Sequence, residues 1–160
     1  FYIIMSESMS SIFDGRNASR VAKEFSERVW LSWTNRGHQP DQLPSTEALS
    51  KAVDFSIEAD VECTLINCSH ADMASNSIKE LKRASRFGIF ANSSTFKEVD
   101  LSIATKDVDA IHHLNSEKIS AKEYAMIALS WAKEGAFVVG GCCGTTVEHT
   151  REIKLLMDSL

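Results

Sequence analysis

Cys142 and Cys143 are neighbours in a glycine-rich run, Gly140-Gly141-Cys142-Cys143-Gly144-Thr145-Thr146, and a third cysteine, Cys68, closes a strand-like segment far upstream. Thiolates bind zinc at about 2.3 Å, and a catalytic zinc site combines three protein ligands with one exchangeable position. Cys68, Cys142 and Cys143 supply such a set. Adjacent side chains on a regular strand point to opposite faces, so the pair reaches one metal only from a loop. The flanking glycines permit that loop, because glycine accepts positive φ and close backbone approach. Cys68 is too distant from the pair for a small structural-zinc pattern, so a fold must bring two strand ends together. The competing reading is that these are buried apolar thiols. It is preferred for Cys63, inside the strand-like segment, and not for the pair between glycines.

A disulfide between neighbouring cysteines is strained, and four cysteines are too few for a disulfide-built scaffold of this length. The usage points to a reducing compartment, the cytoplasm, and to metal or thiol chemistry. A thiol redox protein is the weaker form of that reading, because no Cys-x-x-Cys is present.

Strands must carry these residues. Apolar runs at 1–6, 29–33, 61–67, 87–91 and 136–139 read as five strands. Between them, apolar residues recur at helical spacing. Val21, Ala22 and Phe25 do so within 18–28, and Ala48, Leu49, Ala52, Val53 and Phe55 after a candidate cap at Ser45 or Thr46. Ile78 and Leu81 mark a helix at 75–85. Tyr124, Ile127, Ala128 and Trp131 mark one at 120–133, ended by Gly135, and a last helix covers 148–160. The polar stretch 92–116 has no assignment. Alternation of this kind implies a parallel sheet with covering helices. An open doubly wound sheet and a (β/α)8 barrel both fit, and in both the functional groups lie at the carboxyl ends of strands. Cys68 and the Cys142-Cys143 pair occupy such ends, as do Glu7, Thr34, Asn35, Asn67 and Asn92.

The chain has 160 residues, of which 44% are hydrophobic and 24% charged, enough for one domain with a real core. A net charge of -5 without a basic run argues against a nucleic-acid surface. No apolar stretch approaches the roughly 20 residues of a membrane helix. The opening Phe1-Tyr2-Ile3-Ile4-Met5 lacks the basic lead and cleavage site of a signal peptide. It reads as a bare strand, so an N-terminal part is expected to be missing. Nothing in the sequence states an oligomeric form.

Gly140 to Thr146, followed by Glu148-His149, resembles the closing signature of the homocysteine S-methyltransferase family. Asn67-Cys68 at a strand end is similar to that family's earlier cysteine motif, and Trp131-Ala132-Lys133-Glu134-Gly135-Ala136 to its approach to the pair. The resemblance spans essentially the whole chain. It implies a (β/α)8 TIM barrel of which residues 1–160, the C-terminal part of a single homocysteine-binding domain, supply about strands four to eight. It also implies zinc-dependent transfer of a methyl group to the thiol of homocysteine, giving methionine. The small-molecule partners would be homocysteine and a methyl donor, with a lean toward a sulfonium such as S-methylmethionine or S-adenosylmethionine.

Under that resemblance Cys68, Cys142 and Cys143 hold Zn²⁺, and Glu7 matches an acidic residue that pairs with the substrate ammonium. Asn67, Asn92 and Thr34 are further substrate-binding candidates. For each a plainer role exists: a solvated carboxylate, a strand closure, a turn. His149 reads as surface or capping, and His112 and His113 are not recruited. Trp30, Trp33 and Trp131 read as packing. Val147 stands where proline is usual, Thr150 where an aliphatic residue is usual, and Leu65 where glycine is common. Ala91-Asn92-Ser93-Ser94 lacks the proline and glycine of the matching family element. These departures spare the ligands and touch the loops. They give some support to the alternative of a non-catalytic, zinc-holding remnant that binds a partner.

Overall fold

The computed structural model describes residues 2–96 and 116–159. Five parallel strands form one sheet: β1 (Ile4–Met9), β2 (Val29–Trp33), β3 (Cys63–His70), β4 (Phe87–Asn92) and β7 (Val138–Gly141), hydrogen-bonded in that order. A separate antiparallel ribbon joins β5 (Ser94–Phe96) to β6 (Ser116–Lys118) within the stretch left unassigned above. Among the described residues, six helices lie between or after the strands: α1 (Ile12–Lys23), α2 (Leu49–Glu58), α3 (Ala71–Asn76), α4 (Ile78–Leu81), α5 (Ala121–Lys133) and α6 (Val147–Met157). The order never reverses, so the switch point of a doubly wound sheet is absent among the described strands. Crossovers of one hand then place the helices on one face.

Alternation along the strands sorts the two faces. Val29, Leu31 and Trp33 of β2 and Phe87, Ile89 and Ala91 of β4 pack with Ala52, Val53, Ala128 and Trp131 of the helices into the main core. Trp30, Ser32, Cys63, Leu65 and Gly88 occupy the opposite, inner face by register. The sheet curls toward that face. Cα atoms of β1 and β3 approach within 8 Å although β2 lies between them; two flat strand spacings would separate them by about 9.6 Å.

The helix boundaries differ from the sequence reading for definable reasons. α1 begins at Ile12, not near 18, because Ser11 caps it by accepting from Asp14 N. Gly15 inside it is needed there because a Cβ would collide with the Trp33 ring. Neither Ser45 nor Thr46 caps α2, whose N-cap is Ala48 without a side-chain bond. The Glu47 carboxylate instead accepts from Ile12 N at 2.8 Å and from Ser45 Oγ at 2.7 Å, tying that loop to α1. The helix expected at 75–85 is two short ones, divided at Ser77. The Ser77 hydroxyl lies 2.9 Å from Pro40 O and 3.0 Å from Met73 O, so it serves the loop after β2 as well as its own helix. Ser120 and Glu123 form the capping box that starts α5. Among the described residues, no helix is long and apolar enough to cross a membrane.

Candidate metal centre

Two β-bulges shape the carboxyl rim of the sheet. Ser6 pairs with Leu31 and Met9 with Trp33, so β1 carries one extra residue, and Ser8 takes a left-handed φ of 58°. Asn67 pairs with Phe90 and His70 with Asn92, so β3 carries one too, with Cys68 at φ 53°. A non-glycine residue at positive φ is strained unless its surroundings hold it. Asn67 does the holding. Its side chain is 1% exposed. Its Oδ1 accepts from Ser8 N at 2.9 Å and from Ser32 Oγ at 2.7 Å, and its Nδ2 donates to Ser8 Oγ at 2.9 Å. One amide therefore clamps both bulges across β2. Bulges of this kind re-aim side chains near sites, and here the aimed side chain is Cys68.

The adjacent pair is set by β4. Cys142 N donates to Ala91 O at 2.8 Å, and Cys143 N donates to Asn92 Oδ1 at 3.0 Å. Ser93 N donates to Cys143 O at 3.0 Å. Gly144 turns the chain at φ 77°, where an added Cβ would meet Ser93 Oγ at 2.7 Å. Thr145 Oγ1 donates to Cys142 O at 2.7 Å and closes the loop.

These two devices bring the three sulfurs together. Cys68 Sγ lies 3.6 Å from Cys143 Sγ, which lies 4.0 Å from Cys142 Sγ, and all three fall within 4.8 Å of one another. Sulfurs on a tetrahedral zinc with 2.3 Å bonds stand roughly 3.8 Å apart. The spacing fits that ion. Burial, with the neighbouring thiols adding to it, pushes the Cys68 thiol up to about 12 and raises Cys142 as well. A bound dication reverses such a penalty, because it stabilises the thiolates that repel one another without it. Cys63 lies on the inner face with no exposure, outside the cluster, and burial lifts its thiol to about 12. All four cysteines are free.

The remaining candidates are distributed as follows. Glu7 sits within β1 rather than after it, exposed, with no ion pair among the described residues. Its register places it on the inner face, the side of Ser32 and Asn67. Thr34 Oγ1 donates to Cys68 O at 3.4 Å. Asn67 and Asn92 are both buried: the Asn67 amide is spent on Ser8 and Ser32, and Asn92 Oδ1 accepts from Cys143 N, so the geometry favours positioning over direct ligand contact. His149 accepts from Thr146 N at 3.1 Å through Nδ1, which is capping, though its ring is buried rather than at the surface. His112 and His113 lie outside the described residues.

Beside Cys68 opens a cleft of about 480 Å³ whose walls include Ser8, Thr34, Arg36, Ser69 and His70. Sequence reasoning missed Ser8, Arg36 and His70. Nothing in local spacing marks them, because three separate strand ends make the wall.

The fold is a parallel α/β sheet with a three-thiol cluster, able to hold a metal ion, at its carboxyl rim. The family profile described as Homocysteine S-methyltransferase matches residues 3–157, so the chain belongs to that family. It is similar to homocysteine S-methyltransferase YbgG of Bacillus subtilis (strain 168), with 24% identity over 161 residues, 99% of this chain and 47% of that one. Its fold is similar to the homocysteine methyltransferase MmuM from Escherichia coli. The apo form gives a TM-score of 0.66 at 17% identity, covering 96% of this chain and 49% of that one. The metallated form gives 0.68 at 17% identity, covering 96% and 44%. The chain thus spans about half the length of these relatives.

Proposed function

We propose that this chain is the cysteine-bearing part of a zinc-dependent homocysteine S-methyltransferase. Residues 1–160 would contribute about strands four to eight of a (β/α)8 barrel. The observation that carries the reading is the convergence of Cys68, Cys142 and Cys143, at the ends of two different strands, to zinc spacing. Family membership supports the substrate. The unreversed strand order and the inward curl support an arc of a barrel, and the half-length match leaves room for the other strands.

The three cysteines would hold the ion, with Asn67 and Asn92 fixing the loops that present them. The chemistry a bound zinc supplies here is a lowered pKa and a fixed orientation for a thiol in the open fourth position. A free thiol, near pKa 8.5, is mostly protonated at neutral pH. The substrate thiol would lose its proton to solvent, its sulfur would bond to the donor methyl carbon, and the donor's carbon–sulfonium bond would break to leave a neutral thioether. In-line placement of the two substrates is the protein's second contribution. Glu7, on the inner face near Ser8, would receive the homocysteine ammonium. Free thiols of this kind suit a reducing compartment such as the cytoplasm.

The test is zinc content measured beside homocysteine methylation on the complete protein, with S-methylmethionine, S-adenosylmethionine, betaine and methyltetrahydrofolate as donors. Zinc near one per chain and transfer from a sulfonium donor are expected. Zinc-free protein with full activity would refute the reading. Glu7→Ala should keep its zinc and raise the KM for homocysteine about tenfold, the scale of one charge-assisted contact.

A further inference from the structure

The cleft beside Cys68 has one fixed charge on its walls. Among the described residues lining it, Arg36 is the sole arginine, lysine or carboxylate. Its backbone is pinned: Arg36 N donates to Gln42 O at 2.8 Å and Arg36 O accepts from Gln39 N at 2.9 Å. The residue before it is held more firmly still. Asn35 N donates to Ser69 Oγ at 2.9 Å, and its buried amide donates to Pro40 O at 2.9 Å and to Ser77 Oγ at 3.1 Å. The turn is therefore anchored to β3 and to Ser77 between α3 and α4, while the Arg36 side chain is exposed and without a partner among the described residues.

Arg20, Arg28, Arg83 and Arg86 each meet a carboxylate. Arg16 and Arg151 have no ion pair among the described residues, but neither lines the cleft. Arg36 alone stands over the cleft that Cys68 borders. A guanidinium presents a planar fork that matches a carboxylate with two parallel hydrogen bonds. In a chain of net charge -5, one unpaired cation in a concave site also selects an anionic group over the surrounding surface.

We infer that Arg36 is the carboxylate anchor of this cleft, a binding residue for the carboxylate of an amino-acid substrate whose sulfur is directed at the thiol cluster. The inference rests on the functional reading above for the identity of the substrates. Two of them carry that chemistry: homocysteine itself and an amino-acid sulfonium donor.

The experiment is equilibrium binding to the zinc-loaded complete protein, wild type against Arg36→Gln and Arg36→Lys. The ligands are homocysteine, S-methylmethionine, and their decarboxylated counterparts, 3-aminopropanethiol and (3-aminopropyl)dimethylsulfonium. Arg36→Gln should weaken one of the two carboxylate ligands about tenfold or more, the scale of losing a charge-assisted pair. It should leave the matching decarboxylated ligand unchanged. Arg36→Lys should fall between, because charge is kept and the fork is lost. The ligand that responds names the source. Equal loss for both members of a pair, or no loss for either carboxylate, overturns the anchor. Zinc content unchanged in Arg36→Gln verifies that the variant is folded. Because binding is read without turnover, a protein that methylates nothing would defeat the functional reading while still deciding the anchor.

Discussion

At the amino ends of β2, β3 and β4, Glu62 gathers its neighbours: it accepts from Arg28 Nε and Nη2, both at 2.9 Å, from Trp30 Nε1 at 3.2 Å and from Arg86 Nη1 at 3.0 Å. Arg28 lies 4.5 Å from the Tyr2 ring centroid and Arg86 4.7 Å from that of Phe137. Every charge in that cluster is answered. At the carboxyl ends of the same sheet the reverse holds. Three thiols crowd within 4.8 Å, Ser8 and Cys68 bulge out of their strands, and Glu7 and Arg36 carry charges with no partner among the described residues. The amino rim is satisfied and closes the core. The carboxyl rim is strained and leaves thiols and charges unanswered, which suits the metal and substrate site proposed there.

Removing cysteines should separate the two rims most sharply. In the complete protein, Cys142→Ala and Cys143→Ala should each lose zinc and methyl transfer together, since two thiolates make a poorer site. Cys63→Ala should keep both, with a stability loss on the order of 1 kcal/mol from a small void. Zinc per chain beside activity decides the matter: zinc loss in Cys63→Ala would mean that the cluster is wrongly composed. Metal retention should also weaken as pH falls. The Cys68 thiol is pushed up to about 12 without metal, so binding must expel its proton, and acid favours release.

Asn67→Ala comes next in size. It removes three hydrogen bonds and leaves Ser8 N and the buried Ser32 hydroxyl without their acceptor. A loss of about 2 to 3 kcal/mol is expected, the usual scale for stranded buried polar groups. Because the same amide holds the Cys68 bulge, zinc should also yield faster to a chelator. A urea midpoint that drops while chelator resistance stays at wild type would show that Asn67 supports the fold and not the site.

Much of this was legible in the sequence, and the exceptions have causes. The limits of β2 and the extent of α5 from Ser120 to Lys133 could be read because apolar pattern is local. So could the cysteine loop, since only a glycine-flanked pair can turn two adjacent thiols the same way. The early start of α1 was not legible, because the contact that fits Gly15 into the helix is with a Trp33 ring from another element. The bulge at Cys68 was hidden because its cause, Asn67 reaching Ser8 across β2, spans 59 residues. The Glu62 cluster was missed altogether: Arg28, Glu62 and Arg86 are ordinary surface charges until strand register stacks them.

The smallest expected effect belongs to that amino rim. Glu62 is held below the usual carboxylate range, first by its hydrogen bonds from Arg28, then by Trp30 and the charges of Arg28 and Arg86, against an opposing cost of burial. A carboxyl whose folded pKa is depressed contributes stability that is fully present above its unfolded value, near 4.3. That contribution is lost as pH falls through the lower folded value. Ion pairs at a partly exposed rim contribute little individually, so Glu62→Gln should shift the urea midpoint only slightly at pH 7 and leave zinc content untouched. The difference between wild type and variant should shrink as pH is lowered from 4 toward 3, where the wild-type carboxyl also loses its charge. Midpoints measured at pH 7, 4 and 3 check this. A gap that widens in acid would mean that Glu62 acts through packing against Trp30 rather than through its charge. A fall in zinc at pH 7 would show that the two rims are coupled through the strands and are not the independent ends described here.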